Sequence, residues 1–178
     1  RSQGSKNPNH LYDQAARKAS IVLEKYRDSD LVDDAMFLLG RSFYWQGHYR
    51  DAARSFRDLE INFPDSEFFI KAQYWRGLSF EAQGVFSEAR SIYRSLFTTA
   101  DAEIATLAGL RLGEIAFQEK EYVSAIQEYQ TTLEQFPKSH TRAELWLRLG
   151  EAMFALGDTS LLHDASVSFA QVLRESPE

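Results

Sequence analysis

Residues 36–66 read MFLLGRSFYWQGHYRDAARSFRDLEINFPDS, and this stretch decides the fold. Apolar side chains fall at three- and four-residue steps (Met36, Leu39, Phe43), the period of a helix face rather than of a strand. A turn around His48 follows, then a second run through Ala52 and Phe56 that ends at Pro64. Proline lacks an amide hydrogen and clashes with the preceding turn, so it cannot continue the helix. The stretch is a helix–turn–helix hairpin.

The hairpin recurs as QYWRGLSFEAQGVFSEARSIYRSLF (73–97), GLRLGEIAFQEKEYVSAIQEYQTTLEQFPKS (109–139) and WLRLGEAMFALGDTSLLHDASVSFAQVLRESP (146–177). Gly40, Gly77, Gly113 and Gly150 stand 37, 36 and 37 residues apart. Twelve residues after the first three come Ala52, Ala89 and Ala125, and four beyond those Phe56, Tyr93 and Tyr129. The fourth copy keeps the step as Ala165 and Phe169 but shifted by three, which places a three-residue insertion in Gly157-Asp158-Thr159-Ser160. The closing proline returns at Pro137 and Pro177 and is missing from the second copy. Tyr12-x-x-Ala15-Ala16-Arg17 matches Tyr49-x-x-Ala52-Ala53-Arg54 one period later, so half a repeat comes first.

The glycine and alanine are small, which lets the two helices of a hairpin approach closely, while Phe43, Phe80, Phe56, Tyr93 and Tyr129 fill space beside the contact. Nine helices are expected, near 10–27, 30–46, 49–63, 67–83, 86–97, 101–119, 122–135, 140–156 and 161–175. Residues 1–9 read as a flexible linker or cloning remnant and 10–29 as a partial repeat consisting of a second helix only. Four full repeats then cover about 30–66, 67–99, 100–139 and 140–178. Ser66 and Ser139 are expected N-caps, and Thr141-x-x-Glu144 a capping box.

Composition narrows the function. The 178 residues are 44% hydrophobic and 26% charged, a globular balance. The net charge is -6 and no window forms a basic stripe, which argues against nucleic acid as a partner. Without cysteine there are no disulfides, thiolate nucleophiles or Cys-ligated metals. No apolar run approaches the roughly 18 residues of a membrane span. The polar start, Arg1 to Asn9, suggests that any targeting segment has already been removed.

No catalytic constellation emerges. His10, His48, His140 and His163 occupy turns or helix starts, and no pair has metal-ligand spacing. Asp33-Asp34, Glu114, Glu119, Glu121 and Glu151 fit the solvated faces of amphipathic helices, and no phosphate-cradling glycine loop exists. The expectation is a non-enzyme without cofactor or metal.

These co-spaced positions resemble the tetratricopeptide repeat, with its W-x2-L-G-x2-Y…A-x3-F…P signature. The fourth copy carries Trp146-x2-Leu149-Gly150, and the first and third carry Leu39-Gly40 and Leu112-Gly113. The period is longer than the usual 34. Leu59, Leu96, Thr132 and Val172 replace a small residue late in the second helix, and Phe117 and Phe154 sit one place late in the first. The long period and the Phe-Pro-Asp-Ser ending resemble repeats of bacterial cell-envelope proteins, which tilts the expected location towards the periplasm or outer-membrane periphery.

The resemblance implies an all-α, right-handed superhelical solenoid of about four and a half repeats whose first helices line an inner groove. It puts Phe37, Arg41, Tyr44, Trp45, Tyr74, Leu78 and Glu81 in that groove in the first two repeats. Leu110, Glu114, Phe117, Gln118, Leu147, Glu151, Phe154 and Ala155 follow in the last two. Phe37, Tyr74 and Phe117 could instead seal neighbouring hairpins. Tyr44 and Trp45 are adjacent and so diverge by about 100°, which sends one of them off the packing face. Glu81, Glu114 and Glu151 are expected to make the later part of the groove acidic. The basic clamp that captures chaperone tails would fall on Tyr74, Leu78, Arg111, Glu144 and Arg148, or on Phe37, Arg41, Trp75, Leu107 and Arg111. Neither set matches beyond its last arginine.

The expected function is a scaffold that binds a protein or peptide within a multi-protein assembly. The alternatives are a module that self-associates through terminal helices, and the non-catalytic repeat part of a larger enzyme. Tyr12 and Ala15 are expected to lack a partner helix, and Val167, Ala170 and Leu173 to be left uncovered. Both suggest a parent chain continuing past Glu178, or pairing through an end.

Overall fold

The structure is a computed structural model that describes residues 8–175; the sequence-based readings of residues 1–7 and 176–178 lie outside it. Among the described residues the chain is all-helical: α1 (Pro8–Lys25), α2 (Val32–Trp45), α3 (Tyr49–Asn62), α4 (Phe69–Ala82), α5 (Phe86–Phe97), α6 (Ala102–Gln118), α7 (Tyr122–Gln135), α8 (Arg142–Leu156) and α9 (Leu162–Glu175). These bounds track the expected ones, with one change at the start. Pro8 and Asn9 belong to α1 rather than to a linker. Proline suits a first helical turn, where its missing amide would have no partner anyway.

Two compact units divide within α5, one up to Ile92 and one from Tyr93. In the first unit α1, α2, α3 and α4 pack in succession, and α2 also touches α4. In the second, α6 to α9 do the same, and α6 touches α8.

The glycine–aromatic pairing is the central packing device. A Cβ on Gly40 would lie 2.7 Å from Phe56, one on Gly113 2.2 Å from Tyr129, and one on Gly150 2.7 Å from Phe169. Each ring thus occupies the volume a larger residue would need. Phe56, Leu59, Ala52 and Ala72 are fully buried in the first unit, as are Ala125, Leu145 and Ala152 in the second. The late, larger residue has its own accommodation in the third repeat. Gly109 faces the buried Thr132, whose hydroxyl would lie 2.2 Å from an added Cβ.

Buried hydroxyls are satisfied inside their own helices. Ser42 donates to the Leu38 carbonyl, Ser79 to Trp75, Thr132 to Glu128 and Ser168 to Asp164, each four residues back.

Turn chemistry repeats as faithfully as the core. After α2, the His48 amide bonds back to the Phe43 carbonyl and Gly47 to Tyr44; after α6, Glu121 bonds to Ala116 and Lys120 to Phe117. Such a terminus needs a left-handed residue. Gly47 (φ 80°), Gly84 (φ 73°) and Gly157 (φ 72°) supply it, but the third repeat uses Lys120 (φ 64°). The fourth repeat's insertion forms a short 3-10 turn, Thr159–Leu161, where Asp158 accepts hydrogen bonds from the Ser160 amide and hydroxyl.

The expected serine caps are corrected. α4 starts after Phe68 and α8 after Thr141, with no side-chain cap on either, so Thr141 and Glu144 form no capping box. Ser29, Ser66 and Ser139 each accept instead from the amide two residues on, which builds the turn one step ahead of the helix. Asp101 is a true N-cap, accepting from Glu103 and Ile104.

The expectation for the chain ends divides. Tyr12 does have a partner, stacking on Trp45 at 6.1 Å. On α9, Val167 and Leu173 are exposed, at 44% and 80%. No helix among the described residues is long and apolar enough to cross a membrane.

Candidate interaction surface

The hydrogen bonds that close α2 also fix Tyr44 and Trp45, which sit in its last turn. Tyr44 is half-buried, edge-on to Tyr49 (5.3 Å), Trp75 (5.2 Å) and Trp45 (5.4 Å). Trp45 diverges from it as adjacency requires and is 49% exposed, with Tyr12 on one side and Trp75 6.1 Å away on the other. Arg41, one turn earlier and exposed, holds its guanidinium 5.1 Å from the Trp75 ring and 5.9 Å from Phe37. In this geometry the ring faces attract the cation. The first unit therefore presents an aromatic face built by α1, α2 and α4, with one arginine laid across it.

The other positions expected in this unit divide by burial. Phe37 is 8% exposed and stacks on Phe68 at 4.8 Å, so it seals the core. Tyr74 and Leu78 are buried as well, and Glu81 is half-buried with an interaction of its own. Trp75 and Tyr12 were missed by the groove convention. The signal for Trp75 lay in the sequence: it stands two residues before Gly77, a place held by Leu38, Arg111 and Arg148 in the other repeats.

In the second unit the corresponding face is charged. Glu114 Oε2 accepts from Arg111 Nη1 at 2.7 Å, and Glu114 Oε1 lies 3.5 Å from Arg148 Nε. Arg148 also donates to Glu151 at 2.9 Å and lies 3.8 Å from Glu144. Three carboxylates against two guanidinium groups leave one net negative charge (2 − 3 = −1). The expected acidity of this part is thus reduced and keeps its sign: Glu114 and Glu151 each pair with an arginine one turn earlier. Burial, with Glu114 nearby, pushes the Tyr129 phenol above its ordinary value of 10.0, so it stays protonated.

Leu110 is buried in the core of this unit. Phe117 is half-buried and edge-on to Tyr122 at 5.3 Å. Gln118 and Ala155 are exposed, Leu147 is half-buried, and Phe154 is 68% exposed. Of the expected positions, Arg41, Trp45, Gln118 and Phe154 offer the most surface. No group of three or more His, Asp or Glu side chains among the described residues could hold a metal ion.

Comparison with known proteins agrees with the repeat geometry. One tetratricopeptide repeat model matches residues 9–67 and 37–103, and a second matches 107–139. The chain matches no curated protein sequence. Among solved structures, a crystal structure of MamA is 18% identical, with a TM-score of 0.71 over 96% of this chain and 95% of that one. Residues 41 to the end of MamA from Desulfovibrio magneticus RS-1 superpose with a TM-score of 0.69 at 14% identity, over 98% of this chain and all of that one. At such identities the likeness speaks to the fold.

Proposed function

This chain belongs to the tetratricopeptide repeat family, and we propose that it is a scaffold holding a peptide or partner segment on its first-helix faces within a multi-protein assembly. The observation that carries this reading is Trp45. An indole half in water, steadied by Tyr12, Tyr44 and Trp75, loses little freedom when a partner covers it. Large aromatic side chains of this kind anchor many protein interfaces.

Around Trp45, Arg41 can lend charge-assisted hydrogen bonds to a partner's carbonyl or carboxylate groups without leaving Trp75. In the second unit Gln118 and Phe154 are the accessible members of the surface. A bacterial, cell-envelope setting fits the repeat length and belongs to this proposal. So do the repeat boundaries at about 30–66, 67–99, 100–139 and 140–178, and a scaffold role without chemistry of its own.

Trp45→Ala tests the reading better than a change at Tyr44, whose ring also packs on Tyr49 and Trp75. A partner recovered by pull-down should bind the variant more weakly by more than about 2 kcal/mol in calorimetry, with unchanged helix content. Wild-type affinity would reject this face. A second reading, self-association through α9, draws on the exposed Val167 and Leu173. Sedimentation at micromolar concentration tests it: a monomer dismisses it, and a dimer lost in Leu173→Glu supports it.

A further inference from the structure

The second helix of the first full hairpin carries a feature that the aromatic face does not use. Arg50, Arg54, Arg57 and Ile61 lie at steps of four, three and four on α3. At 100° per residue they fall within about 60° of one another. With Asp58 of the same helix, Arg76 and Phe80 of α4, and Gln83 just past its end, they line a cleft of about 510 Å³. The sequence hid this stripe because Asp51, Asp58 and Glu60 interrupt it along the chain, while on the helix Asp51 and Glu60 fall to its sides and Asp58 borders the cleft.

The arginines are largely uncommitted. Arg50, Arg54 and Arg57 are exposed, and among the described residues Arg50 and Arg54 make no ion pair. Arg57 has Glu60 nearby, but Arg76 already holds that carboxylate with two hydrogen bonds of 2.7 and 2.9 Å. At the end of the stripe Ile61 is 62% exposed.

We propose that this α3–α4 cleft docks an acidic segment of a partner protein, with carboxylates on Arg50, Arg54 and Arg57 and an apolar side chain against Ile61 and Phe80. Guanidinium groups match carboxylates in charge and in planar geometry. An extended or helical acidic segment can place its charges along a three-turn stripe. The apolar end of the cleft favours protein over a nucleic acid or a lipid surface. So does the spacing of charge: an acidic protein segment can set its carboxylates against the arginines and away from Asp51 and Asp58, whereas a nucleic acid presents charge every 1.7 Å or so. α4 contributes Trp75 to the Trp45 face and Arg76 and Phe80 to this cleft, but no residue belongs to both, and the proposal stands or falls separately.

The probe is a fluorescein-labelled 12-residue peptide of glutamates around a single leucine, titrated by anisotropy into the full 178-residue chain. Saturable binding that weakens with added NaCl is expected. Arg54→Glu with Arg57→Glu should reduce affinity about tenfold or more, and the milder Arg54→Gln with Arg57→Gln about threefold. Ile61→Ser should also weaken binding, and Trp45→Ala should leave it unchanged. The proposal is overturned if the peptide does not bind, if the double variants bind as wild type, or if a peptide with Gln for Glu binds equally. Tighter binding of a single-stranded DNA oligonucleotide or of phosphatidylserine vesicles would overturn it in favour of those partners.

Discussion

Arg41 and Glu114 hold the same place in their repeats, one residue after the anchor glycine, and each reaches a side chain 34 residues further on. In the first unit Arg41 lies over Trp75, and in the second Glu114 faces Arg148. The backbone relation is the same: the first helix of one hairpin against the first helix of the next. The chemistry differs. One contact is a cation on a ring face, indifferent to protonation and little changed by salt. The other is an ion pair within a network of five charged groups, and screening weakens it. The repeat thus fixes where neighbouring hairpins touch and leaves open what touches. The first unit uses that freedom to display aromatic surface; the second uses it to tie its charges together.

The largest effect should come from what the units share. Gly113→Ala gains helix propensity of about 1 kcal/mol. Its Cβ, however, would sit 2.2 Å from the fully packed Tyr129 ring, and overpacking of that kind costs about 1–3 kcal/mol. Gly40→Ala, with 2.7 Å to Phe56, should lose less. Urea denaturation ranks the two. A Gly113→Ala chain more stable than wild type by about 1 kcal/mol would show that the ring moves aside freely and that the glycine is not what sets the hairpin spacing.

A smaller effect separates the units. Arg148→Met should cost about 1 kcal/mol at low salt, because its pairs are only partly shielded from water, and much less in 1 M NaCl. Arg41→Met should cost about 0.5–1 kcal/mol at either salt concentration. If both variants respond to salt alike, the distinction between the two contacts fails.

The smallest effect concerns the one turn that breaks the pattern among the described residues. Lys120 holds a left-handed conformation that three glycines hold elsewhere. Lys120→Gly should raise stability by about 0.5–1 kcal/mol, and Gly47→Lys should lower it by a similar amount. Thermal melts of the two variants check the signs.

Much of this molecule was legible in advance. The spacing of Gly40, Gly77, Gly113 and Gly150 marked the hairpins, and the Ala165–Phe169 step located the fourth repeat's insertion in the turn where the 3-10 helix forms. The surface was less legible. Phe37 and Trp45 both read as groove aromatics, yet Phe37 stacks on Phe68 in the core while Trp45 stands half in water. Glu114 read as an acidic surface group, yet two arginines claim it. Ser66 and Ser139 read as caps because serine does prefer that role, but the helices begin two residues later than the capping position requires.

By itself, then, the sequence determined the helices, their turns and the glycine–aromatic contact inside the first, third and fourth hairpins. All of these depend on residues near one another in the chain and on fixed backbone periodicity. The tertiary structure alone decided which side chains remain available. Trp75 beneath Arg41, Arg148 beside Glu114, and Arg54 left without a partner depend on which residue of a neighbouring helix arrives opposite. A helix one residue longer or shorter turns its face by about 100°, so these pairings follow from packing and not from local pattern.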